Sequence, residues 1–279
     1  NHALRHQLAQ EDIAIYAIAA EKAGIGILEV GHGNGLGASS LQIGLSKETD
    51  QTMLETARNE LVNTLLGVHV IPGFATIERD IKAAIEIGVD VFRIASHCTE
   101  ADITERHISY IREKGKTVYG VLMMSHMAEL DILIEEAVKM EYYGAKGVVI
   151  MDSAGSYTPN EVTERISALR SELKGDIGFH GHNNLGLAVA NSLVAIECGA
   201  TLIDACARGF GAGAGNTQME ALVAACRKMG YRTGVDLYKA LDTADIADRF
   251  IPKAPTISSA SIISGLSGVF SGYLKRVEE

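Results

Sequence analysis

Seven short apolar segments, each followed by a helix-patterned stretch, constrain this chain more than any other feature of its sequence. The segments span 25–30, 67–71, 89–95, 117–123, 147–151, 177–182 and 202–207. Helical periodicity follows them at 50–63, 77–87, 103–114, 128–140, from Pro159 onward, 187–197 and 216–228, and a further helix at 11–22 precedes the first strand. Strict alternation of this kind implies parallel strands, which cannot be joined by tight turns and need helical crossovers. A closed barrel and an open doubly wound sheet both satisfy it. Polar and glycine-rich residues gather after nearly every strand here, whereas an open sheet concentrates its site at one switch point. The pattern therefore predicts an α/β fold, a TIM (β/α)8 barrel, with the remaining first strand expected ahead of Asn1.

A chain of 279 residues with 47% hydrophobic content can bury a barrel core of about 250 residues. The alternation stops beyond Gly230, which divides the chain into a catalytic barrel, 1–232, and a helical appendage, 233–279. The appendage begins with helical periodicity at 236–250, breaks at Pro252-Lys253-Ala254-Pro255 and ends in mid-pattern at 274–279, as a truncated domain would. Lys and Arg total 25 against 35 for Asp and Glu, a net charge of −10, with no long basic cluster, so neither nucleic acid nor a membrane is an expected partner. No apolar run reaches about 18 residues and no signal-peptide pattern opens the chain, which predicts a cytoplasmic protein. Cys98, Cys198, Cys206 and Cys226 form no Cys-x-x-Cys pair, which argues against structural zinc or a disulfide framework.

Candidate chemistry centres on His180-Gly181-His182-Asn183-Asn184. On a strand, side chains alternate between faces, so both histidines point one way while Ile177 and Phe179 point the other. Two neutral imidazoles suit Zn, Mn, Fe or Co, with a carboxylate usually completing the protein's share. A bare His-x-His is also common as a hydrogen-bonded surface pair; its position at a barrel strand's C-terminal end favours a site. The same rule puts His2, His32, His97, Ser153 and Arg208 on that rim. Plainer readings compete. His32 and His97 can bond loop backbone, Asp152 can cap the loop that follows it, and Glu29 with Arg93 reads as a buried ion pair, not a substrate site. The glycine-rich run 209–215 lacks the Lys-Ser/Thr of a P-loop. It reads as a flexible turn feeding a helix at Asn216-Thr217, with an anion at that helix's N-terminus as the sharper alternative.

Several motifs together carry a family resemblance. His2-Ala3-Leu4-Arg5-His6-Gln7, Glu29-Val30-Gly31-His32-Gly33, Ser96-His97-Cys98-Thr99-Glu100-Ala101-Asp102, Asp152-Ser153-Ala154-Gly155, Gly178 to Asn184 and Gly215-Asn216-Thr217 resemble the 4-hydroxy-2-oxovalerate aldolases. These are metal-dependent pyruvate aldolases of the isopropylmalate synthase-like barrel group. The resemblance implies a TIM barrel whose helical domain docks an acylating acetaldehyde dehydrogenase. It implies a class II aldolase that cleaves 4-hydroxy-2-oxopentanoate to pyruvate and acetaldehyde. His180 and His182 would bind a divalent metal, usually Mn2+, His2 would be the catalytic base, and Ser153 and His180 would contact substrate. The family's metal carboxylate and its arginine come from an Arg-Asp-Gly triplet, expected here ahead of Asn1. The family's active-site tyrosine falls in register with Phe270, which cannot donate a hydrogen bond, and Tyr273 is a weaker substitute. Two alternatives remain: a related barrel synthase condensing an acyl-CoA, and a catalytically silent scaffold for the dehydrogenase.

Overall fold

The computed structural model describes residues 2–251 and 254–273. Asn1, Pro252, Lys253 and 274–279 lie outside the described residues, and with them half of the expected 252–255 break and the chain's closing pattern.

Seven strands form one sheet: β1 Ile27–Glu29, β2 Leu65–Val70, β3 Val91–His97, β4 Thr117–Met123, β5 Gly147–Asp152, β6 Asp176–Gly181 and β7 Leu202–Asp204. Every pairing is parallel and the strands lie in chain order, as right-handed β-α-β crossovers repeated without a switch of direction produce. The helices are α1 Gln10–Ala23, α2 Asp50–Glu60, α3 Lys82–Ile87, α4 Glu105–Glu113, α5 Leu130–Tyr143, α6 Pro159–Glu172, α7 Ala188–Glu197, α8 Met219–Met229, α9 Leu237–Ala247 and α10 Ser259–Leu266. Local chemistry sets several of their ends. Thr158 and Glu161 cap α6 reciprocally with Pro159 in its first turn, and Asp236 accepts from the Tyr238 and Lys239 N–H groups at the start of α9.

The sheet curls, and its two faces differ. Outward-pointing Leu66, Val68, Phe92, Ile94, Val148, Ile150, Ile177 and Phe179 join helix residues such as Leu54, Ile108, Leu133 and Ile166 in one large apolar core. The inner face carries a small plug of Ala95, Val121 and Val149, flanked by Ile71, Met123, Met151 and Leu202. Arg93 on β3 spans the inside of the curl, pairing with Glu29 on edge strand β1 (3.2 Å) and with Asp204 on edge strand β7. Outside, α9 packs on both α1 and α8, so the helices continue around from the last barrel helix to the first. A separate apolar cluster of Ala207, Met219, Val223, Ala240, Ala244, Ala247 and Ile251 seals that junction. The result is a curled, seven-stranded β/α half-barrel with C-terminal helices, the TIM-barrel-type fold that the alternation predicts, with seven of its eight strands among the described residues.

Two local expectations fail for backbone reasons. The stretch at Asn216-Thr217 is extended instead of helical, and α8 starts at Met219. Asn216 is bridged to His182, the Thr217 N–H donates to Gly181 O, and Thr217 O accepts from the Cys206 N–H, so these residues serve as β-type partners of the strand ends. Arg208 does not face the inner rim. Its backbone is left-handed (φ 55°), and the side chain swings outward to Asp245, Asp248 and Glu220, tying the loop after β7 to α8 and α9.

Candidate active site

Period-two alternation on β6 brings His180 and, just past the strand's end, His182 to the inner face, their ring centroids 5.2 Å apart. His180 Nδ1 lies 2.8 Å from Asp204 Oδ2, its register neighbour on β7. Burial alone would raise the Asp204 carboxyl, but the Arg93 guanidinium and the His180 hydrogen bond outweigh it and hold the group well below the usual carboxylate range. Arg93 is the mirror case. Burial opposes its charge, and Asp204 and Glu29 more than restore it.

The N-terminal turn supplies the opposite wall. His2 packs against Gly33 so closely that a Cβ there would come within 2.5 Å of its imidazole, which explains the glycine. Burial is the main cause of a His2 pKa lowered to about 4, and neighbouring His32 and His69 push the same way. His6 stacks on His32 at 3.5 Å and meets His2 edge-on at 5.1 Å. His69, from β2, is lowered by burial, and the charges of Glu29, Arg93, His180 and Asp204 all act on it. Burial, and then the nearby His180, hold His182 well below the ordinary histidine range; a backbone contact at Ala212 opposes them, and His2 adds to the lowering. His2, His32, His69 and His182 are thus held toward the neutral form, in which a ring nitrogen not already engaged can accept a proton or hold a cation.

Four of the rim residues singled out in the sequence, His2, His32, His180 and His182, belong to this electrostatic cluster. Ser153 is fully buried at the end of β5; its hydroxyl accepts from the Met124 N–H at 2.9 Å and its carbonyl from the Ser271 N–H at 3.0 Å. His32 takes up loop backbone, with Nε2 3.1 Å from Gly44 O and Nδ1 accepting from the Asn34 N–H. His97 instead pairs with the Thr99 hydroxyl at 2.9 Å. Asp152 accepts from the Ser156 and Tyr157 N–H groups and so caps its own loop. Glu29 and Arg93 do form an ion pair, but it is not remote from the chemistry: through Asp204 it reaches His180. His69 and Asp204 were not anticipated. Both lie on the inward register of their strands, a signal that becomes readable once that face is known.

The free atoms test whether a divalent cation fits. His180 commits one ring nitrogen to Asp204 and keeps the other. His182 Nδ1 is buried without a protein partner, as is Asn216 Oδ1 on the residue bridged to it. Two imidazoles with adjacent orphaned polar atoms suit a transition metal. Among the described residues no group of three His, Cys, Asp or Glu side chains is arranged to hold one.

A parallel, curled β/α sheet with an imidazole-lined site at the C-terminal ends of its strands defines the class: a barrel enzyme acting on a small molecule. The HMGL-like family model matches residues 1–247. The chain is 61% identical over 278 residues to the 4-hydroxy-2-oxovalerate aldolase of Spirochaeta aurantia, covering 99% of this chain and 82% of that protein. It is 58% identical to the 4-hydroxy-2-oxovalerate aldolase of Pectobacterium atrosepticum, covering 99% and 81%. Among solved structures, the N-terminal domain of a candidate aldolase from Bacteroides vulgatus superposes with a TM-score of 0.83 at 26% identity, covering 98% of this chain and 91% of that one. The carboxyl transferase domain of Rhizobium etli pyruvate carboxylase with 3-bromopyruvate gives 0.85 at 19% identity, covering 99% and 50%, a likeness of fold alone. The chain belongs to the HMGL-like family, within its 4-hydroxy-2-oxovalerate aldolases, which are carbon–carbon lyases.

Proposed function

We propose that this protein cleaves 4-hydroxy-2-oxopentanoate to pyruvate and acetaldehyde with a divalent metal, most simply Mn2+, held by His180 and His182. The observation that carries the reading is the pairing of two inward imidazoles, one backed by Asp204, with the half-buried, neutral His2 in the same electrostatic cluster. The metal, when bound, supplies Lewis-acid polarisation of the substrate's 2-oxo group. His2 is the base: at neutral pH its pKa of about 4 leaves it unprotonated, ready to take the C4 hydroxyl proton as the C3–C4 bond breaks. The bonding pair stays with the three-carbon fragment as an enolate, which becomes pyruvate on protonation at C3, and the C4 fragment leaves as the aldehyde. Ser153, whose hydroxyl already meets Met124, would contact substrate through its remaining hydrogen-bonding capacity, as His180 would beside the metal. Residues 233–279 would form the docking region for an acylating acetaldehyde dehydrogenase, a use that fits a volatile aldehyde product. No helix among the described residues is long and apolar enough to cross a membrane, in keeping with a cytoplasmic setting.

The test is pyruvate release from 4-hydroxy-2-oxopentanoate. Activity abolished by a chelator and restored by Mn2+ is the expected result; a chelator-resistant enzyme trapped by borohydride would overturn the metal mechanism.

A further inference from the structure

The two histidines at the end of β6 differ in how their tautomers are set. His182 Nδ1 is buried with no protein partner. His180 Nδ1 faces Asp204 Oδ2 at 2.8 Å, and that same oxygen accepts from Arg93 Nη2. A guanidinium carries donors only and is always charged, so the oxygen it engages is an acceptor. A hydrogen bond from His180 to that oxygen requires the proton to sit on Nδ1, which leaves the Nε2 lone pair free.

Asp204 cannot easily turn away. Arg93 is 93 positions into the chain and Asp204 lies 111 residues further on, yet the curl of the sheet places them together inside it, with side-chain exposures of only 9% and 15%. The other arm of the Arg93 fork is fixed by Glu29 at 3.2 Å, on the opposite edge strand. One charged bridge therefore joins β1, β3 and β7 and ends on the imidazole of β6.

We propose that Asp204, clamped by Arg93 and anchored through it to Glu29, is a positioning residue that fixes His180 as the Nδ1–H tautomer and so presents Nε2 as its ligating nitrogen. The use made of Nε2 rests on the metal reading above; the tautomer does not. Partners of this kind typically change metal affinity by about 10–100-fold when removed. They act by holding the ring's orientation and its proton, without touching the substrate.

The decisive measurement is a two-bond proton–nitrogen correlation on histidine-labelled, metal-free full-length chain at about pH 8, above the ordinary histidine range. A His180→Gln sample assigns the signal. The expected wild-type signature is a protonated Nδ1 and an unprotonated Nε2; the reverse pattern overturns the proposal whether or not any variant folds. In Asp204→Leu the signature should shift away from Nδ1–H, and Mn2+ binding followed by calorimetry should weaken about 10–100-fold. Asp204→Asn, whose amide oxygen still accepts, should recover much of both. A folded Asp204→Leu chain with an unchanged tautomer sinks the idea. Wild-type chain with the expected tautomer but no Mn2+ binding would instead overturn the metal reading and leave the positioning role standing.

Discussion

Phe179 and His180 are neighbours on β6 that belong to different proteins, in effect. Phe179 points out into the apolar layer beneath the helices and is fully buried; His180 points in, toward Asp204 on the next strand. The same division runs along β3, where Phe92 and Ile94 face the helices while Arg93 crosses the inside of the curl. The outer face holds the sheet together by burial of apolar area, and the inner face has only a plug of small residues, leaving room for charges and imidazoles. Stability and chemistry are thus assigned to alternate residues of the same strands.

Substituting adjacent residues is the strongest way to break that division. Phe179→Ala should cost about 3–5 kcal/mol in urea unfolding, through lost burial and a cavity. His180→Gln should abolish metal-dependent aldolase turnover with a much smaller shift in the unfolding midpoint. If His180→Gln proves as destabilising as Phe179→Ala, the inner face is structural too. On the opposite wall, His2→Ala should lower kcat by about 10²–10⁴-fold, the range for a lost general base, with little change in the unfolding midpoint. A kcat unchanged in His2→Ala removes the base from the mechanism.

The outer face was far easier to read than the inner. All seven strands follow from apolar runs bounded by turn residues, though β3 begins at Val91 and not at 89, and β7 stops at Asp204. β7 is short because the chain beyond it is drawn aside, Cys206 bridging to Gln218. Period two was enough to put His180 and His182 on one face. It could not say that Arg93 meets Asp204, since proximity across a curled sheet depends on tertiary closure and not on spacing. Arg208 was misread for a local reason: the strand-end rule puts it on the rim, but a left-handed backbone turns it toward acidic residues on α8 and α9.

The two faces should also separate by pH. Burial depresses His2, His32, His69 and His182, so each binds fewer protons folded than unfolded as pH drops below the ordinary histidine value. A group depressed in this way contributes its full stability above the unfolded pKa, about 6.5, and loses it as pH falls toward the folded one. Asp204 is depressed as well, but as a carboxylate its contribution survives until pH falls below its ordinary value near 4. Unfolding at about pH 7.5 and about pH 5 should therefore show a clear loss, partly reduced in His69→Gln and left intact in Phe179→Ala. An equal loss in His69→Gln would remove His69 from its sources.

The smallest effect is expected where the site meets the C-terminal segment. Phe270 is half-buried, packed edge-on against Tyr273 at 5.4 Å, and the adjacent Ser271 is tied into the rim by Ser153 O and the Asn184 amide. The segment is thus held by its polar neighbours, while the ring at 270 supplies shape without a donor. Phe270→Tyr adds a hydroxyl to an anchored backbone, so it should leave the unfolding midpoint unchanged. One new hydrogen bond is worth about 0.5–1.5 kcal/mol, so the ratio of kcat/KM for the two C4 enantiomers should move by no more than about tenfold. A shift of that size would place position 270 among the residues that sense C4. No shift, with stability also unchanged, would assign the ring to the wall alone and leave stereochemical control to the imidazoles opposite.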